Sequence, residues 1–118
     1  MTPEQFLQGD PAAQRLFDAV AGLIRGIGPA EVSVSKSQIA FRRRRAFALV
    51  WRPAQYLHGD VAPLVLSIAL KSEQASPRWK EVVAPAPGHV MHHLELWQVA
   101  DIDAEVAAWL QQAWDQSG

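Results

Sequence analysis

Four consecutive arginines, Arg42, Arg43, Arg44 and Arg45, stand between two apolar stretches in the segment FRRRRAFALVW. Guanidiniums at a hairpin tip can each neutralise a phosphate, and Trp51 or Tyr56 can stack on an unpaired base. With Lys36 and Arg52 nearby, the segment reads as a candidate nucleic-acid contact. Two considerations weigh against it. Neighbouring strand residues point to opposite faces, so at most two or three of the four arginines share a surface. An exposed hairpin also carries charge simply to stay soluble and to keep its edges from pairing with other chains.

A second cluster is His89, His92 and His93 with Glu95. Imidazole and carboxylate are the usual ligands for zinc or iron when cysteine is absent. On a strand, His93 and Glu95 share a face while His92 points away beside Leu94 and Leu96, so a metal site needs His58 as a third ligand. The plainer reading is a hydrogen-bonded, half-buried strand histidine. Five tryptophans form the third feature. Trp109 fits a buried helix stripe. Trp79 and Trp97 are expected at a contact surface for a protein partner, a small ligand or a second copy of the chain, with Arg78 and Lys80 beside Trp79 as anion contacts. Catalytic signals are weak. Ser67 lacks the glycines of a nucleophile elbow, Ser33, Ser35 and Ser37 lie in a strand, and no glycine-rich phosphate loop is present. Asp101 and Asp103 suit helix capping better than acid-base work. No catalytic residue and no cofactor is assigned.

The elements that must position these residues follow from periodicity. TPEQF has the pattern of a capping box with proline at the first helical position, for a short helix ended at Gly9. Asp10 and Pro11 start a second helix, and Leu16, Phe17, Val20, Leu23, Ile24 and Ile27 make its apolar stripe up to Gly28 and Pro29. EVSVSKSQIAF alternates in two phases, which predicts a turn or bulge near Lys36 and Ser37. AFALVW alternates with Phe47, Leu49 and Trp51 on one face, so Ile39 to Phe41 and Phe47 to Trp51 form a hairpin around the arginines. PLVLSIALKS is a nearly continuous apolar run and reads as a central strand. SPRWKE is expected to make one helical turn, followed by an irregular connector through Pro85, Pro87 and Gly88. HVMHHLELWQV then reads as a strand with Val90, His92, Leu94 and Leu96 on one side. DIDAEVAAWLQQAW closes the order with a helix capped by Asp101 or Asp103. Helices at both ends and about five strands between them, joined by short connections, imply an α+β two-layer sandwich with a mainly antiparallel sheet.

Bulk properties bound the function classes. A chain of 118 residues with 49% hydrophobic content is expected to form one domain over residues 1–118. Absence of cysteine excludes disulfides, thiolate metal sites and a cysteine nucleophile. The N-terminus has no basic stretch leading into an apolar run and no segment is a membrane span, so the expected location is cytoplasmic. Net charge is −1, yet six of the eleven basic residues fall between Lys36 and Arg52, and none follows Lys80, where six acids lie.

PLVLSIAL, SPRWKEVVAPAPG, HHLEL and DIDAEVAAWLQQAW, together with KSQIAFRRRRAFALVW, resemble the DUF5655 family of small bacterial proteins over nearly the whole chain. The layout is also similar to the YdhG-like and YjbR-like domains at the level of fold. The DUF5655 resemblance implies no catalytic or binding residues, because that family has no assigned function, and fold alone does not fix one. The resulting expectation is a non-enzymatic binding or interaction module acting through Trp79 and Trp97, with a homodimer as the simplest partner. Nucleic-acid association through Arg42 to Arg45 is the alternative, and metal binding at His93, Glu95 and His58 a weaker one.

Overall fold

The structure, a computed structural model, describes residues 1–118. Helix α1 (Pro3–Phe6) is closed by the expected capping box: Thr2 Oγ1 accepts from Gln5 N at 3.1 Å and Gln5 Oε1 accepts from Thr2 N at 2.8 Å. The Asp10 carboxylate caps helix α2 (Pro11–Ile27) by accepting from Ala13 N at 3.0 Å. Its buried stripe is Ala13, Leu16, Phe17, Val20, Ala21 and Ile24. Asp103 does the same for helix α3 (Ala104–Gln116), accepting from Val106 N at 3.1 Å, and Val106, Trp109, Leu110 and Ala113 are buried. Asp101 instead accepts from the amides of Trp97 and Gln98, closing a single 3₁₀ turn at Val99–Asp101.

Between the helices lie β1 (Glu31–Val34), β2 (Ile39–Arg42), β3 (Ala46–Trp51), β4 (Leu64–Leu70), β5 (Glu81–Ala86) and β6 (His89–Leu96). They form one antiparallel sheet in the order β1-β2-β3-β4-β6-β5, so the class is α+β with an open antiparallel sheet. The apolar run on β4 is central, as its continuous hydrophobicity demands. Leu64, Leu66, Ile68 and Leu70 on β4, with Val90, His92, Leu94 and Leu96 on β6, face α2 and α3. Phe17 of α2 stacks on Phe41 of β2 with ring centroids 5.9 Å apart. The other side of the sheet carries no helix. No helix of the chain is long and apolar enough to cross a membrane.

The phase slip near Lys36 and Ser37 is the β1–β2 turn, where Ser35 Oγ accepts from the amides of Ser37 and Gln38. Two expectations need correction. Phe47 does not share a face with Leu49 and Trp51. The β2–β3 register runs Phe41↔Ala48 and then Arg42↔Ala46, so Phe47 is the extra residue of a bulge, and both Phe47 and Ala48 are buried. The helical turn expected at SPRWKE does not form and the irregular connector expected after it is the edge strand Glu81–Ala86, so the sheet has six strands, close to the five or so expected. Pro85 is tolerated there because β5 is an edge strand whose register breaks between Val83 and Ala86. Gly88 closes the β5–β6 hairpin at φ +74°, a conformation that side chains resist.

Candidate functional site on the helix-free face of the sheet

Strand alternation that sends Leu66, Ile68 and His92 into the core sends Trp51, Ser67 and His93 to the opposite face. Register aligns Leu49, Ser67, His93 and Glu81 in one row across β3, β4, β6 and β5. Trp51 Nε1 donates to Ser67 Oγ at 3.1 Å, and Ser67 Oγ lies 2.6 Å from His93 Nδ1. An indole N–H only donates, so the serine accepts from Trp51, and the ring nitrogen within reach is the natural acceptor for its own proton. In the tautomer with its proton on Nε2, His93 Nδ1 accepts from the Ser67 hydroxyl. Burial is the first cause that lowers the His93 pKa below the ordinary 6.5, opposed by the negative charge of Glu81 and helped by His92 and Lys80.

Around this relay stand flat and charged groups. Trp51 meets the His93 ring edge-on at 6.5 Å, and Tyr56, 59% exposed, lies 6.4 Å from Trp51. Lys80 reaches Glu95 at 3.8 Å. A serine bonded to a histidine invites a comparison with acyl transfer, but the geometry opposes it. Ser67 is 1% exposed and already receives the Trp51 proton, so no substrate carbonyl reaches its oxygen. What the face offers is an imidazole ring held through Nδ1 beside an indole and a phenol, with carboxylates at Glu81 and Glu95. Sequence reading noted Ser67 and Trp51 separately and missed their link. The available signal was a lone serine inside the apolar run PLVLSIAL, since a buried hydroxyl needs partners.

Residues singled out from the sequence are dispersed. Arg43 Nη1 donates to Trp114 O at 3.1 Å with its guanidinium 3.7 Å from the Trp114 ring centroid, and Arg45 Nη2 donates to Gln116 O at 3.5 Å. The amides of Arg44 and Arg45 both donate to Ser117 O at 3.1 Å. Helix α3 has no basic residue in its own last turn, so the arginine loop satisfies its terminal carbonyls and the negative end of its dipole. All four arginines stay exposed, Arg42 and Arg44 without a side-chain partner in the fold. Lys36 and Arg52 lie at the other end of the β2–β3 hairpin, about 20 Å away by the rise of β3. There Arg52 pairs with Asp10 at 3.3 Å, which ties β3 to the start of α2.

Trp79 and Trp97 do not make one surface. Trp79 is half-buried on the helix side, 4.2 Å from the Trp109 ring and 4.9 Å from His92, and it donates to Gln74 O at 2.7 Å. Trp97 is 47% exposed and borders a small cleft with Ala12, Arg15 and Leu16 of α2. Arg78 is not free for an anion either: Nη1 bonds Asp103 at 3.1 Å and Glu105 at 2.8 Å, and Nη2 bonds Asp101 O at 2.9 Å. Its hydrogen bond to Glu105 leads the causes that raise its pKa. Asp103 is held below its ordinary 3.8, first by the Val106 amide and then by Arg78. Of the metal candidates, His93 and Glu95 share the open face as expected, while His58 sits in an exposed loop. No group of three or more His, Cys, Asp or Glu side chains is arranged to hold a metal ion. His92 uses both ring nitrogens, Nε2 accepting from Gln74 N at 3.0 Å and Nδ1 facing Ile68 O at 3.3 Å.

Comparison with curated proteins and with solved structures finds no match to either. The model of one family, described as "Domain of unknown function (DUF5655)", matches residues 3–117. A match over that span covers the core strands, the arginine loop and the Trp51, Ser67 and His93 row alike, and the chain belongs to the DUF5655 family.

Proposed function

We propose that the protein is a non-enzymatic binding module whose ligand lies against the helix-free face of the sheet at His93. The Trp51, Ser67 and His93 relay carries this reading, because it pins the His93 ring through Nδ1 and leaves Nε2 as the nitrogen turned away from Ser67. With its proton on Nε2, a ring so fixed beside Trp51 and Tyr56 suits a planar group with an uncharged acceptor, such as an amide or ketone. Glu81 and Glu95 disfavour a carboxylate or phosphate at the same place. A chain free of cysteine suits work in a reducing, cytoplasmic setting. Nucleic-acid contact has less support, since Arg43, Arg45 and Arg52 are engaged within the fold.

The test is a screen of planar amide and ketone fragments by amide and indole NMR on labelled protein. Hits are expected to shift the Trp51 indole N–H and the His93 ring signals, and to vanish in His93→Ala. Hits that leave both signals still, or that bind His93→Ala equally well, would sink the reading.

A further inference from the structure

The two edges of the sheet differ. On β5 the edge is blunted by Pro85 and by the register break between Val83 and Ala86. On β1 there is neither proline nor bulge, and Glu31, Val32 and Ser33 are all exposed. Ser35 N donates to Gln38 O at 2.9 Å, so Ser35, Ser33 and Glu31 turn their backbone groups toward β2. Val32 and Val34 consequently turn theirs to the empty side.

We propose that β1 is a dimerisation edge, where two copies of the chain pair antiparallel about a two-fold axis at Ser33. Several independent features select a second copy as the occupant. A two-fold axis perpendicular to the sheet requires facing residues to lie on the same face, and centring it on Ser33 sets Val32 opposite Val34 of the other copy. Those are the residues whose N–H and C=O groups point outward, so the pairing forms narrow hydrogen-bonded pairs on both sides of the axis. All four valines then lie on the helix side, where Val34, Leu23 and Ile27 already pack half-buried against the core and Val32 is 47% exposed. Charge agrees with register. Glu31 begins the strand and Lys36 follows its end, so antiparallel pairing sets each Glu31 opposite Ser35 of the other copy with Lys36 the next residue along, and opposite charges lie near each end of the pairing. A parallel arrangement would set like charges together. Ser33 meets its own copy across the axis as a close pair able to share a hydrogen bond. The result is a continuous sheet with six strands from each copy.

The chain has no cysteine, so one introduced thiol reports its own neighbourhood. Ser33→Cys is expected to cross-link under mild oxidation, because a non-hydrogen-bonded antiparallel pair has Cα atoms about 4.5 Å apart, within disulfide range. Ala84→Cys, on the opposite edge, is the comparison and is expected to stay unlinked. Light scattering across a micromolar dilution series is expected to show a dimer for the unaltered chain. Val32→Lys is expected to weaken it by about tenfold or more with the circular dichroism spectrum unchanged. A monomer throughout, a dimer indifferent to Val32→Lys, or cross-linking through Ala84→Cys in preference to Ser33→Cys would each overturn the proposal. His93→Ala leaves this edge untouched, so the fate of the ligand reading does not decide this one.

Discussion

Ser67 Oγ serves two partners, accepting from Trp51 and bonding His93, and a methyl group in its place would strand both in a half-buried setting. Ser67→Ala is therefore expected to cost about 1–3 kcal/mol, the penalty of a buried polar group left unpaired, read by urea denaturation with the Trp51 indole resonance as local reporter. His93 adds a pH dependence whose sign is fixed. Its folded pKa lies below the unfolded value, so beneath about pH 6.5 the unfolded chain binds more protons and stability falls with pH through the folded pKa. The facing groups are Glu81, Lys80 and His92, and Glu95 lies two residues along the same strand. Urea midpoints measured from pH 7.5 to 5 are expected to decline in the native chain and to flatten over that window in His93→Gln.

At the scale of elements, helix α3 is held at both ends by residues distant in sequence. Its N-terminus has Asp103 as cap with Arg78 bridging Asp103 and Glu105. Asp103→Ala is expected to cost about 0.5–2 kcal/mol by thermal denaturation at neutral pH. Because the Asp103 carboxyl is held low when folded, its contribution is present above its unfolded value near 3.8 and is lost as pH falls through the folded one, so the mutational effect shrinks in acid. The C-terminus of α3 rests on the arginine loop and on Trp114, whose Nε1 donates to Pro29 O at 3.0 Å. Gly28 sits so close beneath that indole that a Cβ would strike it. Gly28→Ala is expected to displace Trp114 and weaken its contact with Arg43, seen as altered tryptophan fluorescence and a lowered melting temperature.

For the whole molecule, charge distribution bears on the FRRRR loop. Net charge is −1, the arginine loop lies at one end of the hairpin, and Lys36 and Arg52 lie at the other. Phosphate contacts announce themselves by a steep loss of affinity with salt. Anisotropy of labelled oligonucleotides at about 50 and about 200 mM salt is expected to show only weak binding, with little difference between the native chain and Arg43→Glu/Arg44→Glu. Tight binding that both salt and the variant abolish would return the loop to a nucleic-acid role. The fold itself rests on one apolar layer, where Leu66, fully buried between β3 and β6, is expected to lose about 2–5 kcal/mol on truncation to alanine.

Local chemistry in the sequence determined the helices, their caps, the central strand and the β2–β3 hairpin, because capping boxes and apolar periodicity act within a few residues. The same alternation separated His92 from His93 and joined His93 to Glu95 on a face. Tertiary structure alone decided the rest. SPRWKEVVAPAPG carries helix-start and proline signals that outweigh a strand reading until β6 offers it an edge to pair with. The Phe47 bulge depends on how β3 meets β2. Trp79 was expected at the surface, and only the approach of Trp109 and His92 draws it inward. The arginine loop and Ser67 make the point most plainly. Their partners lie 71 residues away for Arg43 and Arg45, and 16 and 26 residues away for Ser67, distances at which residue order along the chain carries no information about contact.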